Sequence, residues 1–305
     1  MINFRFRFKN NILRMDTLLL LLMALFGIIN SNCKKSKEKV EATVFKAHSV
    51  TALDAKVVET SGLIYFDNFF WTINDSGNAN ILYRIDPKNG LVNGEISISN
   101  SKNIDWEEIT EDQEYIYVAD IGDNSRIRDE KQIYRLKKSE VLKIKANGSV
   151  DCEVIRFKYP EIDSKKISYD AEALITLNGV LHLFTKDIFE SMHFTIPAKP
   201  GEVTATFIEK YASNGQVTGA TIGSLNNSLI MVGYFGFGDR LFWEVKDFTK
   251  TSIMGVAIPP LSLGPVTETG QVEAVCFGAD GKVFFTNENF GGVKQQLWTI
   301  PYPVK

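Results

Sequence analysis

The sequence predicts an all-β fold, a β-propeller of five four-stranded blades closed by an N-terminal strand. Three observations predict it. A five-residue pattern recurs five times, each copy is followed by the same order of strand-like segments, and no long helical period appears after residue 35.

The pattern is an acid or amide, any residue, Ser/Thr/Glu, a variable and mostly small residue, then an apolar one. Its copies begin at Glu59, Asp105, Asp170, Gln216 and Gln271, with spacings of 46, 65, 46 and 55 residues. These approach the roughly 40–50 residues of a propeller blade. A second strand follows each copy, at 69–73, 115–119, 180–184, 228–232 and 282–286. Turn signals at Asn68, Asn178-Gly179, Asn226-Asn227 and Asp280-Gly281 join first to second strands. Third strands are expected at 81–85, 132–136, 191–196, 240–245 and 296–300, and fourth strands at 95–99, 152–157, 204–209 and 252–258. The fifth copy has no fourth strand of its own. The stretch ATVFKAHSV (42–50) can supply it, which joins the ends of the ring and leaves no open sheet edge there. The 65-residue interval leaves a six-bladed ring as the alternative, and a β-sandwich gives no reason for the repeated strand order.

Ahead of the repeat lies an address. Arg5, Arg7, Lys9 and Arg14 precede an apolar run at 17–29 that is short of the ~20 residues of a membrane-spanning helix, the pattern of an export signal. Cys33 follows directly. This arrangement resembles a bacterial lipoprotein site, which implies lipidation at Cys33. Asn32 and Asn30 stand where such sites usually carry a small residue and Leu, and a plain cleaved signal or an uncleaved anchor are the alternatives. The division is then 1–32 signal peptide, 33–43 lipidated Cys and charged tether, and 44–305 propeller, in a protein of the bacterial cell envelope, on the periplasmic side or the outer-membrane surface. Cys152 and Cys276 sit in strand-like runs as small hydrophobes, so no disulfide framework is expected.

Composition narrows the chemistry. A formal charge of −3 gives no basic field to recruit nucleic acid. Three histidines, His48, His182 and His193, are too few for a His-rich metal site, and two lie on strands, so no Ser-His-Asp set assembles. Acids are another matter. In a propeller the first strand lines the channel and the loop after the second strand returns to the same mouth. Ser61, Asp105, Glu107, Asp170, Glu172, Thr218 and Glu273 therefore meet Asn74, Asp75, Asp120, Asp123, Lys186, Asp187, Asn287 and Glu288.

Two carboxylates 4 Å apart repel by about 4 kcal/mol at an effective dielectric of about 20. Protonation, pairing with a base, or a bound cation each relieve this. The oxygen donors suit calcium, with Glu107, Asp120, Glu172, Asp187, Glu273 and Glu288 as metal candidates. Asn74, Asp75, Arg126, Arg128 and Lys186 are candidates for ligand contact; the alternative for the arginines is neutralisation of neighbouring acids.

Ser61-Gly62-Leu63, Asn74-Asp75-Ser76-Gly77, Asp105-Trp106-Glu107-Glu108-Ile109, Gly122-Asp123-Asn124 and Asp170-Ala171-Glu172-Ala173 together resemble the SdiA-regulated and esterase-like-phytase group of exported β-propellers. The resemblance implies calcium-type sites near the channel; members of that group include predicted phosphoesterases and proteins with no assigned activity. The fourth copy departs, with Gln216-Val217-Thr218 in place of the acidic pair and Met231–Tyr234 in place of a polar strand end. Two functions remain. One is an envelope binding module for an unknown small-molecule, glycan or protein ligand. The other is a calcium-dependent hydrolase of phosphoesters, esters or lactones, with Glu107 or Glu273 as the proton acceptor.

Overall fold

The computed structural model describes residues 46–162, 168–223, 227–248, 253, 260–300 and 302. The apolar run 17–29, Cys33 and the tether lie outside the described residues.

Five antiparallel sheets form the ring. The first holds β2 (Thr60–Phe66), β3 (Phe69–Asn74), β4 (Ile81–Ile85) and β5 (Val92–Ser99); the second holds β6 (Trp106–Glu111), β7 (Tyr115–Asp120), β8 (Lys131–Lys137) and β10 (Glu153–Lys158). The third is β11 (Ala171–Leu177), β12 (Val180–Thr185), β13 (Ser191–Pro197) and β15 (Thr206–Tyr211), and the fourth is β16 (Gln216–Ile222), β17 (Leu229–Tyr234), β18 (Asp239–Val245) and β19 (Leu261–Pro265). In the fifth, β20 (Gln271–Phe277), β21 (Val283–Glu288) and β22 (Gln296–Ile300) are completed by β1 (His48–Ala52), which pairs antiparallel with β22 from His48↔Thr299 to Ala52↔Gln296. The N-terminal closure is thus present and the blade count is five; the closing strand runs His48–Ala52, overlapping only the end of the expected 42–50, of which 42–45 lie outside the described residues.

The long second interval is taken up by other elements than a sixth blade. After β8 come a one-turn helix, α1 (Lys138–Val141), and a short strand, β9 (Asn147–Asp151), which adds in parallel to the outer edge of the first sheet at β5. A second such strand, β14 (Gly201–Thr204), adds in parallel to β10. Both are exposed and polar, and they cover edges that would otherwise be open to another chain. The fourth strand of the fourth sheet is β19; the expected 252–258, apart from Ile253, lies outside the described residues.

The hairpin turns follow their residues. Asp67 and Asn68 have φ of 52° and 65°, and Asn178 and Gly179 have 52° and 76°, the left-handed pair that a two-residue turn needs and that Asn, Asp and Gly tolerate. Strand alternation sends one apolar row to each neighbouring blade, so the core is five seams. Trp71, Ile96, Trp106 and Tyr134 fill the seam between the first and second sheets; Ile155, Phe157, Leu181 and Phe194 fill the next. Each seam removes its rows from water at about 25 cal/mol per Å² of apolar surface.

The inner strands β2, β6, β11, β16 and β20 stand at the edge of their sheets and face the axis. Their first residues lie at one mouth of the channel and their last residues at the other.

Candidate functional site: an acidic channel mouth

Every inner strand carries a bulge near its start. The register shifts between Ser61 and Leu63, Trp106 and Glu108, Ala171 and Ala173, Val217 and Gly219, and Val272 and Ala274. A bulge re-aims the residue it adds; that residue is the repeated Thr or Glu in four sheets and, in the first, Gly62 next to the repeated Ser61. Two of the five close the ring: Ser61 Oγ donates to the Glu107 carbonyl at 2.6 Å and Thr218 Oγ1 to the Val272 carbonyl at 2.7 Å, each in the next blade. The other three are Glu107, Glu172 and Glu273, all buried.

These glutamates meet aspartates from the repeat starts and the return loop. Asp75, Asp105 and Glu107 bring one carboxylate oxygen each within 4.8 Å of one another; Glu107, Asp170 and Glu172 do the same, so Glu107 is shared. Gly122 makes the space. A Cβ there would stand 2.0 Å from Glu107 Oε1 and 2.6 Å from Asp105 Cγ.

The electrostatics follow from crowding. Burial first, then Glu172 and Asp75, push the Glu107 carboxyl well above the usual carboxylate range. Burial and Asp75 raise Asp105 to about 6. Burial and Glu288 raise Glu273 to about 8; burial and Asp75 raise Glu288 to about 8. Among the described residues Lys186 is the cation set deepest among them. It pairs with Glu172, and Glu172, Glu273 and Glu107 hold it above its ordinary range against the cost of burial. The Tyr234 ring lies between Lys186, 5.6 Å away, and Arg240, 5.0 Å away. Tyr234 thus fills the sector where the fourth copy lacks acids. Arg240 itself donates to the carbonyls of Gly270 and Gly236.

The remaining candidates are engaged locally. Arg128 pairs with Asp120 at 2.8 Å and donates to the Gly122 carbonyl at 2.6 Å; Arg126 pairs with Asp187. Asp120 also accepts the Asp105 amide at 3.0 Å. Asp120 and Asp187 therefore sit beside arginines rather than in the acidic groups. Asn74 is buried and donates to the Lys56 carbonyl at 2.8 Å. Lys131, unremarked in the sequence, is buried against Asp123 at 2.7 Å and Ser168 at 2.8 Å. The Lys131 ammonium, the Ser168 hydroxyl, which also donates to Asp123, and the amides of Ile127 and Arg128 together overcome burial and hold Asp123 below the usual carboxylate range. His182 and His193 are hydrogen-bonded to each other at 2.9 Å on strands β12 and β13, and Phe184 and Phe248 pack on them.

Glu108 was hidden at the repeat's variable position, where the other copies carry Gly62, Ala173, Gly219 and Ala274. One large acid among four small residues was the available signal. Its side chain is fully buried; Oε1 accepts the Ile109 amide at 3.0 Å, Oε2 accepts the Ala220 amide at 2.9 Å from the fourth sheet, and the Leu63 amide of the first sheet also donates to it. Glu108 thus ties three blades across the axis and plugs the channel below the acidic mouth.

The buried acidic groups can hold a metal ion. No protein-family model matches the chain, and no curated protein matches it. Solved structures do. The glutaminyl cyclase of Myxococcus xanthus aligns over 85% of this chain and 97% of its own, at 12% identity and a TM-score of 0.53. The PQQ-bound aldose sugar dehydrogenase of Streptomyces coelicolor aligns over 84% and 97%, at 12% identity and a TM-score of 0.48. The likeness is one of fold: this chain is a β-propeller. At these identities no ligand or reaction carries over.

Proposed function

We propose that this chain is an envelope-anchored binding propeller of the SdiA-regulated and esterase-like-phytase type, lipidated at Cys33, whose acidic mouth holds calcium. The observation that carries the reading is the pair of carboxylate groups sharing Glu107. Asp75, Asp105 and Glu107 would hold the ion, with Asp170 beside them and Glu172 drawn partly toward Lys186. Hard oxygen donors in a buried, negatively charged recess suit calcium and not zinc. Bound there, the ion supplies positive charge at the mouth for an oxygen-bearing ligand.

A second reading is a calcium-dependent hydrolase of phosphoesters, esters or lactones. It is favoured by Glu273, whose carboxyl, raised to about 8, is matched to proton transfer near neutral pH. Against it, Arg126 and Arg128 are engaged by Asp187 and Asp120 rather than open to an anionic substrate.

The test is thermal unfolding of the full-length protein in detergent with calcium, magnesium or chelator. At 100 times its dissociation constant calcium adds about 2.7 kcal/mol, a rise of roughly 5–10 °C for a domain of this size. The rise is expected with calcium and lost in Glu107→Gln; no rise with any cation contradicts the reading. Gly122→Ala crowds the same carboxylates from behind, so calcium affinity is expected to fall about tenfold or more, read by titration calorimetry. Turnover of any of the three ester classes, lost in Glu273→Gln, would establish the second reading.

A further inference from the structure

Beyond the Glu108 plug, the other end of the channel opens into a cavity of about 730 Å³, within the range of small-molecule sites. Its floor is Leu63, Ile109 and Ala220, two of whose amides cross to Glu108 and the third of which is its neighbour in the chain. The cavity is therefore blind, and no extended chain can thread it.

Its wall is two-sided. Going round the ring, the fifth and first sheets contribute the half-buried aromatic residues Phe277 and Tyr65, on adjacent blades. The second, third and fourth sheets contribute the hydroxyl-bearing Thr110, Thr176 and Thr221. Of the three, Thr221 is half-buried, whereas Thr176 Oγ1 is sealed from the cavity. The charges are engaged: Glu111 pairs with Lys138 at 2.6 Å, and Asp112 accepts the Tyr117 hydroxyl at 2.7 Å and the amides of Glu114 and Tyr115. The main chain of the inner strands adds donors and acceptors on the axis side, unpaired within their own sheets.

An anionic ligand finds no unpaired cation among the lining residues, and the Asp112 carboxylate already accepts three hydrogen bonds. A hydrocarbon would leave the hydroxyls and main-chain groups buried without partners, which costs free energy for each. A compact neutral molecule with one C–H face and one hydroxyl-bearing edge satisfies both arcs. We propose that this cavity is a binding site for a neutral sugar, a mono- or disaccharide, separate from the acidic mouth and independent of calcium.

The experiment is titration calorimetry of the full-length protein in chelator with glucose, maltose, cellobiose and N-acetylglucosamine. At least one is expected to bind with a dissociation constant below about 1 mM. Thr221→Phe fills the cavity and is expected to abolish that binding while the calcium-induced rise in unfolding temperature stays. Thr221→Val removes a half-buried hydroxyl of the wall at near-constant shape. It is expected to fold at least as stably as the parent and to weaken sugar binding about threefold to tenfold. Failure of all four sugars, binding unchanged in both variants, or binding of the neutral tripeptide Ala-Ser-Ala in place of the sugars would overturn the proposal. None of these outcomes bears on the calcium reading, because calcium is absent from the titration.

Discussion

Replacing Glu108 with alanine is expected to destabilise the propeller by about 3–6 kcal/mol, because three main-chain amides from three blades lose one acceptor. Ile109, Ala220 and Leu63 cannot find another partner in their own sheets, since their strands are the inner edge of each. Truncation also opens the axis between the acidic mouth and the cavity beyond. Glu108→Gln keeps one carbonyl acceptor and the shape, so its loss is expected to be about half as large. Urea denaturation followed by fluorescence of the seam tryptophans reads both. A shift in midpoint for alanine no larger than for a surface Glu, such as Glu153→Ala, would show that the plug is not what ties the blades.

The second large effect is a dependence of stability on pH that calcium reverses. Glu273 and Glu288 have carboxyls raised from 4.5 to about 8, and Glu107 and Glu172 are raised well above 4.5, in each case chiefly by burial. A group that binds its proton more tightly when folded stabilises the fold at low pH. That contribution is full below about 4.5 and is lost as pH rises through about 8. Without divalent cation the unfolding temperature is therefore expected to fall from pH 5 to pH 9. Each excess proton held by the native state costs about 1.4 kcal/mol per pH unit across that window. Calcium substitutes for the protons and releases them on binding, so its affinity rises with pH. In saturating calcium the decline is expected to flatten or invert. Calorimetric scans at pH 5, 7 and 9, with chelator and with calcium, check both arms. A decline that is identical in the two would mean that the titrating acids and the cation do not share a site.

Much of the architecture could be read from the sequence because the repeat is in register. Once five copies are aligned, the alternation of each strand, the identity of the channel-facing residue and the closure by residues near His48 follow from the same period. What escaped has local physical causes. Strand β19 reads poorly because it contains Gly264, at a φ of 103°, and Pro265. Strands β9 and β14 are polar edge additions with no apolar alternation to announce them. At the mouth, the converging acids and their neutralisation by arginines were legible, but which acid each cation meets was not. Lys131 reaches Asp123, Arg126 reaches Asp187, and Lys186 reaches Glu172 through loop paths that no spacing encodes. Asp105 and Asp170 show the same limit. As repeat-start residues they were placed at the mouth, yet their grouping with Glu107 depends on the bulge geometry and on the missing side chain of Gly122.

The central claim is that the acidic mouth is a calcium site centred on Glu107. A crystal structure of the protein grown with calcium tests it most directly. The account predicts one ion with ligand distances of about 2.3–2.6 Å to oxygens of Asp75, Asp105 and Glu107, with Lys186 still paired to Glu172. A mouth that holds only water at saturating calcium, with the carboxylates hydrogen-bonded to one another, would contradict it.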